Sequence, residues 1–549
     1  METADKRLKS YIKEKKNRKY IVYACFFALA VFMHFYKLGS IPLGLHVDEA
    51  GMAYDAFCLA NYSVDRYRNS FPVYFINYGG GQSALYTYLV ALLLKFGMEL
   101  NAWTIRLPGA LLAMVGYVLQ IDIIRKQLGE KWGMISGFLL AILPYFIMQA
   151  RFGLDCNLLL NMSVISFWML LKAKNTGKKI FYIIAGILYG INYYTYALGY
   201  ITITIFLLGV LIYWLYFKQI KLGECILLLA PVTVIASPLL LMVLINQFDF
   251  PQFEILNITI TRLPEYRAST LNFENIWNNL VETVKVILTR DALDYNALDK
   301  YYTMYKISIP FAVIGFIVLL RRSFCAIIKK YYFEKILFLF WVLVYIFLGS
   351  LIGHDGTDAP NINRLNGIFF GVLFCVIYGM RFVYILFKKW LYNGKKVIDG
   401  SVKESLLLIP RCTEKIACLV LLIYFFCYLG FAWHYFSEVS RNAMFRGIYS
   451  EILQAVREET GTEKTIYIQG PYIYYLLSEK VNPYSVRLVE DKLDSYENAV
   501  FQLPVSLEED AEESVYIVYK DYEEYIENLR ENYNFNELED EIYCCFYTK

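Results

Sequence analysis

Apolar runs of about twenty residues, each long enough to cross a hydrocarbon core of roughly 30 Å, recur through the first four fifths of the chain. Short polar connections, mostly basic, separate them. Eleven such runs can be read, near 20–37, 104–124, 132–149, 157–173, 180–197, 199–217, 224–246, 305–320, 334–352, 365–386 and 416–434. Helix is the economical conformation for each, because in lipid every backbone amide must be bonded within its own segment. The stretch 83–98 is apolar but short and carries Lys95, so it reads as a helix lying in the interface. The run after the basic N-terminus resembles a signal peptide only in outline; its length, with no small-residue cleavage site, makes it a retained first span. The pattern therefore predicts an all-α polytopic membrane protein.

Charge then orients the spans. Excluding 83–98 puts the N-terminal tail and the connections 125–131, 172–179, 218–221, 321–335 and 388–415 on one side, and these hold more than half of all Lys and Arg. Basic loops stay in the cytoplasm, so residues 1–19 form a basic cytoplasmic tail. The loops 38–103 and 247–304 within the membrane domain 20–434, the turn 150–156 and the tail 435–549 fall outside. That tail is charged and carries strand-like runs at 465–470 and 515–519, which predicts a small extracytoplasmic α/β domain.

Composition adds little more. At 58% hydrophobic and 17% aromatic the chain is membrane-like, and its 49 Tyr suit interfacial positions. No basic stripe with aromatics points to nucleic acid, no phosphate-binding glycine motif to a nucleotide, and no CxxC or HExxH to a metal. Cys544 and Cys545 are adjacent, and a disulfide between them has no support.

Candidate chemistry gathers on the outer side. Asp48 and Glu49 follow the first span; a carboxylate at an apolar boundary has a raised pKa and can accept a proton, although Asp48 could equally cap the helix that begins there. Asp155 lies in the short turn, as a cap for a helix at Asn157 or as a second acid, with Arg151 near enough in sequence to neutralise it. Tyr78, Gly80 and Gln82 belong to a glycine-rich stretch that permits close approach of a ligand, or merely a flexible connection. His354 and Arg364 precede the tenth span, where arginine can grip a phosphate with a forked pair of hydrogen bonds or anchor the interface.

In order, these parts resemble the GT-C glycosyltransferases of the protein mannosyltransferase and aminoarabinose-transferase type, the family 39-like enzymes. The resemblance rests on the Asp48-Glu49 pair, the Pro-Val-Tyr-Phe and Gly-Gln segment from Pro72 to Gln82, Arg106-Leu107-Pro108-Gly109-Ala110, and Arg151 with Asp155. It covers about 1–385; the tail matches only loosely, and the segment around Glu265 aligns to no motif of the family. It implies transfer of a hexose or pentose from a polyprenyl-phosphate donor to a glycan, lipid or protein hydroxyl, with inversion. Asp48 would be the base, with Glu49 and Asp155 orienting the acceptor or binding the donor head. Arg364, then Arg106 and Arg151, and less strongly His354, would hold the donor phosphate, with Tyr78, Gly80 and Gln82 in the substrate loop. No cofactor is certain, but Asp48, Glu49 and Asp155 could hold a divalent cation. Two other classes compete: a transporter or flippase, which would place charges at mid-membrane on repeated halves, and a membrane scaffold, which would tolerate loss of Asp48.

Overall fold

The computed structural model describes residues 2–77, 80–266, 275–288, 298, 300–351, 362–398, 402–437, 450–461, 463–488, 492–505, 507 and 511–549. It begins with α1 (Glu2–Phe35), whose apolar part starts near Arg18. A compact segment follows with α2 (Val47–Tyr62), the two-residue strands β1 (Tyr74–Phe75) and β2 (Gln82–Ser83), and α3 (Ala84–Lys95). The bundle continues through α4 (Ala102–Leu128), α5 (Glu130–Ile142), the short α6 (Pro144–Met148), α7 (Cys156–Thr176), α8 (Lys179–Asn192), α9 (Gly199–Tyr216) and α10 (Leu222–Gln247). A hairpin of β3 (Phe253–Ile255) and β4 (Ile258–Ile260) and a helix α11 (Ile276–Leu288) lead to α12 (Ser308–Ile328) and α13 (Ile336–Leu351). A 3₁₀ turn (Ile362–Ile368) opens α14 (Phe369–Ile398), and α15 (Val402–Ser437) closes the bundle.

Among the described residues, eight helices are long and apolar enough to cross a membrane. They match expected spans, whereas α5, α8 and α13 have 13, 14 and 16 residues. At 1.5 Å per residue such helices reach only about 20–24 Å, short of the hydrocarbon thickness. The span expected at 132–149 is broken at Leu143–Pro144, where proline offers no amide to continue the ladder and starts α6 instead. The span expected at 180–197 stops at Asn192, followed by turns to Leu198. The helix α3 is 12 residues long and packs on α2 and α4, consistent with its exclusion from the spans.

The C-terminal region folds around α16 (Ser450–Thr460), α17 (Tyr472–Ser478), α18 (Glu523–Asn532) and six strands: β5 (Ile466–Ile468), β6 (Ser495–Tyr496), β7 (Ala499–Val500), β8 (Val515–Tyr519), β9 (Asn536–Glu539) and β10 (Tyr543–Tyr547). They form one sheet in the order β6-β7-β5-β8-β10-β9, with β5 parallel to both neighbours. Cys544 and Cys545 are consecutive on β10, so their side chains leave opposite faces of the sheet, and both are free thiols. This region shares a hydrophobic core with the segment after α1: Leu45, Ala50 and Tyr54 pack with Ile473, Leu476 and Val515. Hydrogen bonds cross the same seam. The Tyr474 hydroxyl donates to the Leu45 carbonyl at 2.8 Å, the Tyr54 hydroxyl to Val481 at 2.9 Å, and Arg68 to Val486 at 2.8 Å. The sheet region and α2 therefore sit at the same end of the bundle.

Candidate active site

The two adjacent acids at the start of α2 have separate surroundings. His46 precedes the helix; its Nδ1 accepts the Asp48 amide at 3.1 Å, and the Glu49 carboxylate accepts the His46 amide at 2.9 Å. This is the reciprocal arrangement of a capping box, so the cap expected of Asp48 belongs to His46 and Glu49. Glu49 is fully buried. It also accepts from Arg106 Nε at 3.1 Å and from the Gly153 amide at 2.6 Å. A Cβ at Gly153 would lie 3.1 Å from that carboxylate, so glycine lets the 150–156 turn approach it. Glu49 is thus a brace between three segments, with both oxygens accepting from protein donors.

Asp48, one residue earlier on a helix that turns about 100° per residue, points elsewhere. Its side chain is 41% exposed. Asn77 Nδ2 donates to its Oδ1 at 2.9 Å, and Gln82 Nε2 reaches its backbone carbonyl at 3.4 Å. The next residue, Ser83, gives its amide to Asp155 Oδ2 at 2.9 Å. Strand β2 therefore touches both Asp48 and Asp155 with consecutive residues. Asp155 also caps α7, which starts at Cys156, through its Oδ1 and the Cys156 amide at 2.7 Å. Burial pushes the Asp155 carboxyl up to about 7; the Ser83 amide opposes this and the negative charge of Asp48 adds to it. The two carboxylates therefore lie within electrostatic reach of each other.

Arg364 reaches the same neighbourhood from the far end of the sequence. Its 3₁₀ turn packs on α7, and Asn366 Nδ2 donates to Asn157 Oδ1 at 2.9 Å while accepting from the Tyr145 hydroxyl at 2.8 Å. Tyr196, packed against Phe152, Leu154 and Cys156, lies within electrostatic reach of both Asp155 and Arg364. Burial holds its phenol well above the ordinary range; Asp155 adds to that rise and Arg364 offsets it.

Arg106 and Arg151, expected to hold the donor phosphate, donate to backbone carbonyls instead. Arg106 is fully buried, and besides Glu49 it donates to the carbonyls of Leu38 at 3.1 Å, Pro42 at 2.9 Å and Gly44 at 2.5 Å. Arg151 serves the C-terminal end of α1, where carbonyls lack helical partners: Met33 at 2.8 Å, Tyr36 at 2.8 Å and Ile41 at 2.9 Å. Its guanidinium also lies over the rings of Tyr435 and Phe436. These contacts leave it with no role in neutralising Asp155. Tyr78 and His354 lie outside the described residues. In the glycine stretch the conformational demand falls on Gly81, next to Gly80: its φ is +87°, and a Cβ would stand 2.5 Å from Tyr74 Cε1 and 2.8 Å from the Phe75 carbonyl.

Sequence reasoning missed Asn77 as a contact of Asp48. Its signal is a single amide closing the apolar run Val73-Tyr74-Phe75-Ile76. Asn77 is nearly buried, and Gly51 on α2 makes room for it, since a Cβ there would meet Asn77 Oδ1 at 2.5 Å. As for metals, Glu537, Glu539 and Cys544 are the described residues whose ligand atoms cluster at coordination spacing. Arg530 and Lys520 already pair with those two glutamates, so that cluster is an ion-pair network on the sheet.

Residues 82–242 match the family model described as dolichyl-phosphate-mannose-protein mannosyltransferase. That stretch includes Asp155 but neither Asp48 nor Arg364. Among the curated proteins none matches the chain in sequence. In fold, the chain is similar to ArnT from Cupriavidus metallidurans bound to undecaprenyl phosphate, with 12% identity, a TM-score of 0.57, and coverage of 95% of this chain and 97% of that one. The apo form of the same protein aligns over the same shares with 11% identity and a TM-score of 0.54. The archaeal oligosaccharyltransferase AglB from Archaeoglobus fulgidus aligns over 89% of this chain and 65% of that one, at 13% identity and a TM-score of 0.49. The chain is a multi-pass membrane protein of the GT-C fold, similar in architecture to ArnT along nearly its whole length and to the protein mannosyltransferase family over residues 82–242.

Proposed function

We propose that the protein is a membrane glycosyltransferase that moves one monosaccharide from a polyprenyl phosphate to an acceptor hydroxyl, at the bundle end facing away from the cytoplasm. The observation that carries this reading is the meeting of three distant parts of the sequence: strand β2 contacts Asp48 and Asp155 with consecutive residues, and the turn that carries Arg364 is bonded to Asn157, two residues from Asp155. In the reaction Asp48 takes the proton of the acceptor hydroxyl. The acceptor oxygen then attacks the anomeric carbon as the carbon–oxygen bond to the phosphate breaks, which inverts that centre. The phosphate departs with the bonding pair as a stable anion and needs no proton of its own, so one base suffices. Arg364 neutralises its charge with a forked pair of donors. Asn77 keeps the Asp48 carboxylate turned outward.

Asp155 orients the acceptor beside Asp48, and these two carboxylates would hold a divalent cation if the reaction used one. An apolar cavity of about 360 Å³ supports the assignment of a lipid donor. It is lined by Leu280, Val284, Phe316, Ile346 and Val372, and also by Ile368, the last residue of the turn that carries Arg364. The test is glycan analysis of cells lacking the protein. A sugar should disappear from the envelope glycans, return with the wild-type chain, and stay absent with Asp48→Asn. An unaltered glycan profile, or full restoration by the Asn variant, would refute the reading.

A further inference from the structure

The connection between α10 and α11 contains a surface that the proposed chemistry does not use. Beyond the end of α10, Phe248 and Phe250 are more than half exposed, and the β3–β4 hairpin continues the display with Phe253, Ile255, Leu256 and Ile258. The register explains the arrangement. Phe253 pairs with Ile260 and Ile255 with Ile258, so these four side chains share one face, while Glu254 and Thr259 share the other. At the tip, Leu256 and Asn257 both have positive φ, +52° and +61°. Asparagine accepts that conformation readily, but leucine is strained by it. Yet Leu256 is 91% exposed, so in water it would contribute no burial to offset the strain.

We infer that this hairpin is seated in the lipid–water interface, with Ile255, Leu256 and Ile258 immersed among lipid chains. The occupant follows from continuity. The lipid-facing side of α10 exposes Val234, Leu240 and Leu244, and Phe248 carries that apolar surface past the helix end to the hairpin. On the other side of the connection, α11 exposes Trp277 at its start, a residue suited to the same boundary. Arg262, paired with Asp249, sits at the base of the hairpin, where charge can stay in water.

The seat has a consequence for the strand that leads to Asp48. The Val73 amide donates to the Thr259 carbonyl at 3.1 Å, the Thr259 amide to Ser70 at 2.9 Å, and Thr261 Oγ1 to the Tyr74 carbonyl at 2.7 Å. The hairpin is thus an added edge on the segment ending at Asn77. A bilayer-held hairpin sets the depth of that segment relative to the lipid.

The experiment places a photoactivatable benzophenone side chain at position 256, and separately at 258, in the full-length protein. The variants are reconstituted in vesicles of phosphatidylethanolamine and phosphatidylglycerol. Position 505, exposed on the C-terminal region, serves as the control. After illumination, peptides spanning 256 and 258 should carry lipid adducts several-fold above those at 505. Lipid capture at neither hairpin position above the control would overturn the inference, as would predominant crosslinking of these positions to a second copy of the chain. Because the readout is lipid capture, the result does not depend on whether the protein transfers a sugar.

Discussion

Replacing the two neighbouring acids, Asp48 and Glu49, one at a time should give opposite phenotypes. The Glu49 carboxylate is fully buried and accepts from Arg106, the Gly153 amide and the His46 amide. Removing one partner of a buried, hydrogen-bonded pair costs about 3–5 kcal/mol, because the other charge is left unpaired. Glu49→Ala should therefore unfold the segment between α1 and α2, and Glu49→Gln, which keeps the shape and loses the charge, should cost about 2–3 kcal/mol as Arg106 loses its counter-charge. Asp48 is 41% exposed and its carboxylate accepts one short bond from Asn77, so Asp48→Asn should change stability by no more than about 1 kcal/mol. Its effect should fall on turnover, lowered about 10²–10⁴-fold if a base is lost. The assay is thermal unfolding of the purified protein in detergent, run beside donor turnover on the same preparations. A Glu49→Gln variant as stable as wild type, or an Asp48→Asn variant that melts early with its residual activity intact, would refute the division of roles.

Three further outcomes follow from the same geometry. Arg364→Ala should weaken donor binding about ten- to a hundredfold, the equivalent of about 1.5–3 kcal/mol for a charged hydrogen bond, and leave acceptor KM unchanged; titration with a polyprenyl phosphate checks this. The Asp155 carboxyl, raised to about 7, is protonated below that pH and charged above it. If the charged form orients the acceptor, kcat/KM should rise with pH through about 7, and Asp155→Asn should abolish that limb of the profile. The linked stability runs the other way: a raised pKa favours the fold at low pH and loses that contribution as pH climbs through 7, so a melting temperature that increases over this range would contradict the assignment. Gly81→Ala forces a Cβ against Tyr74 and Phe75 at φ +87°, costing about 1–2 kcal/mol from the backbone alone. Because Gln82 and Ser83 come next, its activity should fall further than its stability does.

Much of this architecture is readable from the chain because lipid imposes harsh rules. A run such as 224–246 has no alternative to helix, and α10 forms there with Pro231 and Pro238 inside it. The strand runs in the tail are readable for a similar reason, since Val515–Tyr519 is buried on both faces and accordingly apolar throughout. The roles of adjacent polar residues are harder. Asp48 and Glu49 are chemically alike, and only the phase of α2, fixed by its cap at His46, decides which one faces the brace. Arginines show the same ambiguity. Nothing in the local sequence distinguishes Arg151, consumed by the open carbonyls of α1, from Arg364, because the carbonyls it serves lie more than a hundred residues away. The β3–β4 hairpin escapes notice because each of its strands is three residues long, too short for the alternation Phe253-Glu254-Ile255 and Ile258-Thr259-Ile260 to stand out from a loop.

Asp48 and Asp155 are held by connectors, not by each other. A capping box fixes α2, β2 joins α2 to the start of α7, and an amide pair ties α7 to the turn that carries Arg364. Each connector ends on a different span or loop, so the distances among Asp48, Asp155 and Arg364 are set by how these elements pack at one end of the bundle. Two carboxylates that repel each other, with the Asp155 proton loosened only near neutrality, would drift apart on flexible loops. Buried braces such as Glu49–Arg106 and Arg151 prevent that by pinning the segment between α1 and α2 from below. The C-terminal region pins it from above through Tyr474 and the shared core of Leu45, Ala50 and Ile473. An acid pair that must remain close, yet leave Asp48 open to an acceptor, requires this kind of scaffold, which explains why so many buried polar groups near the site face backbone instead of substrate.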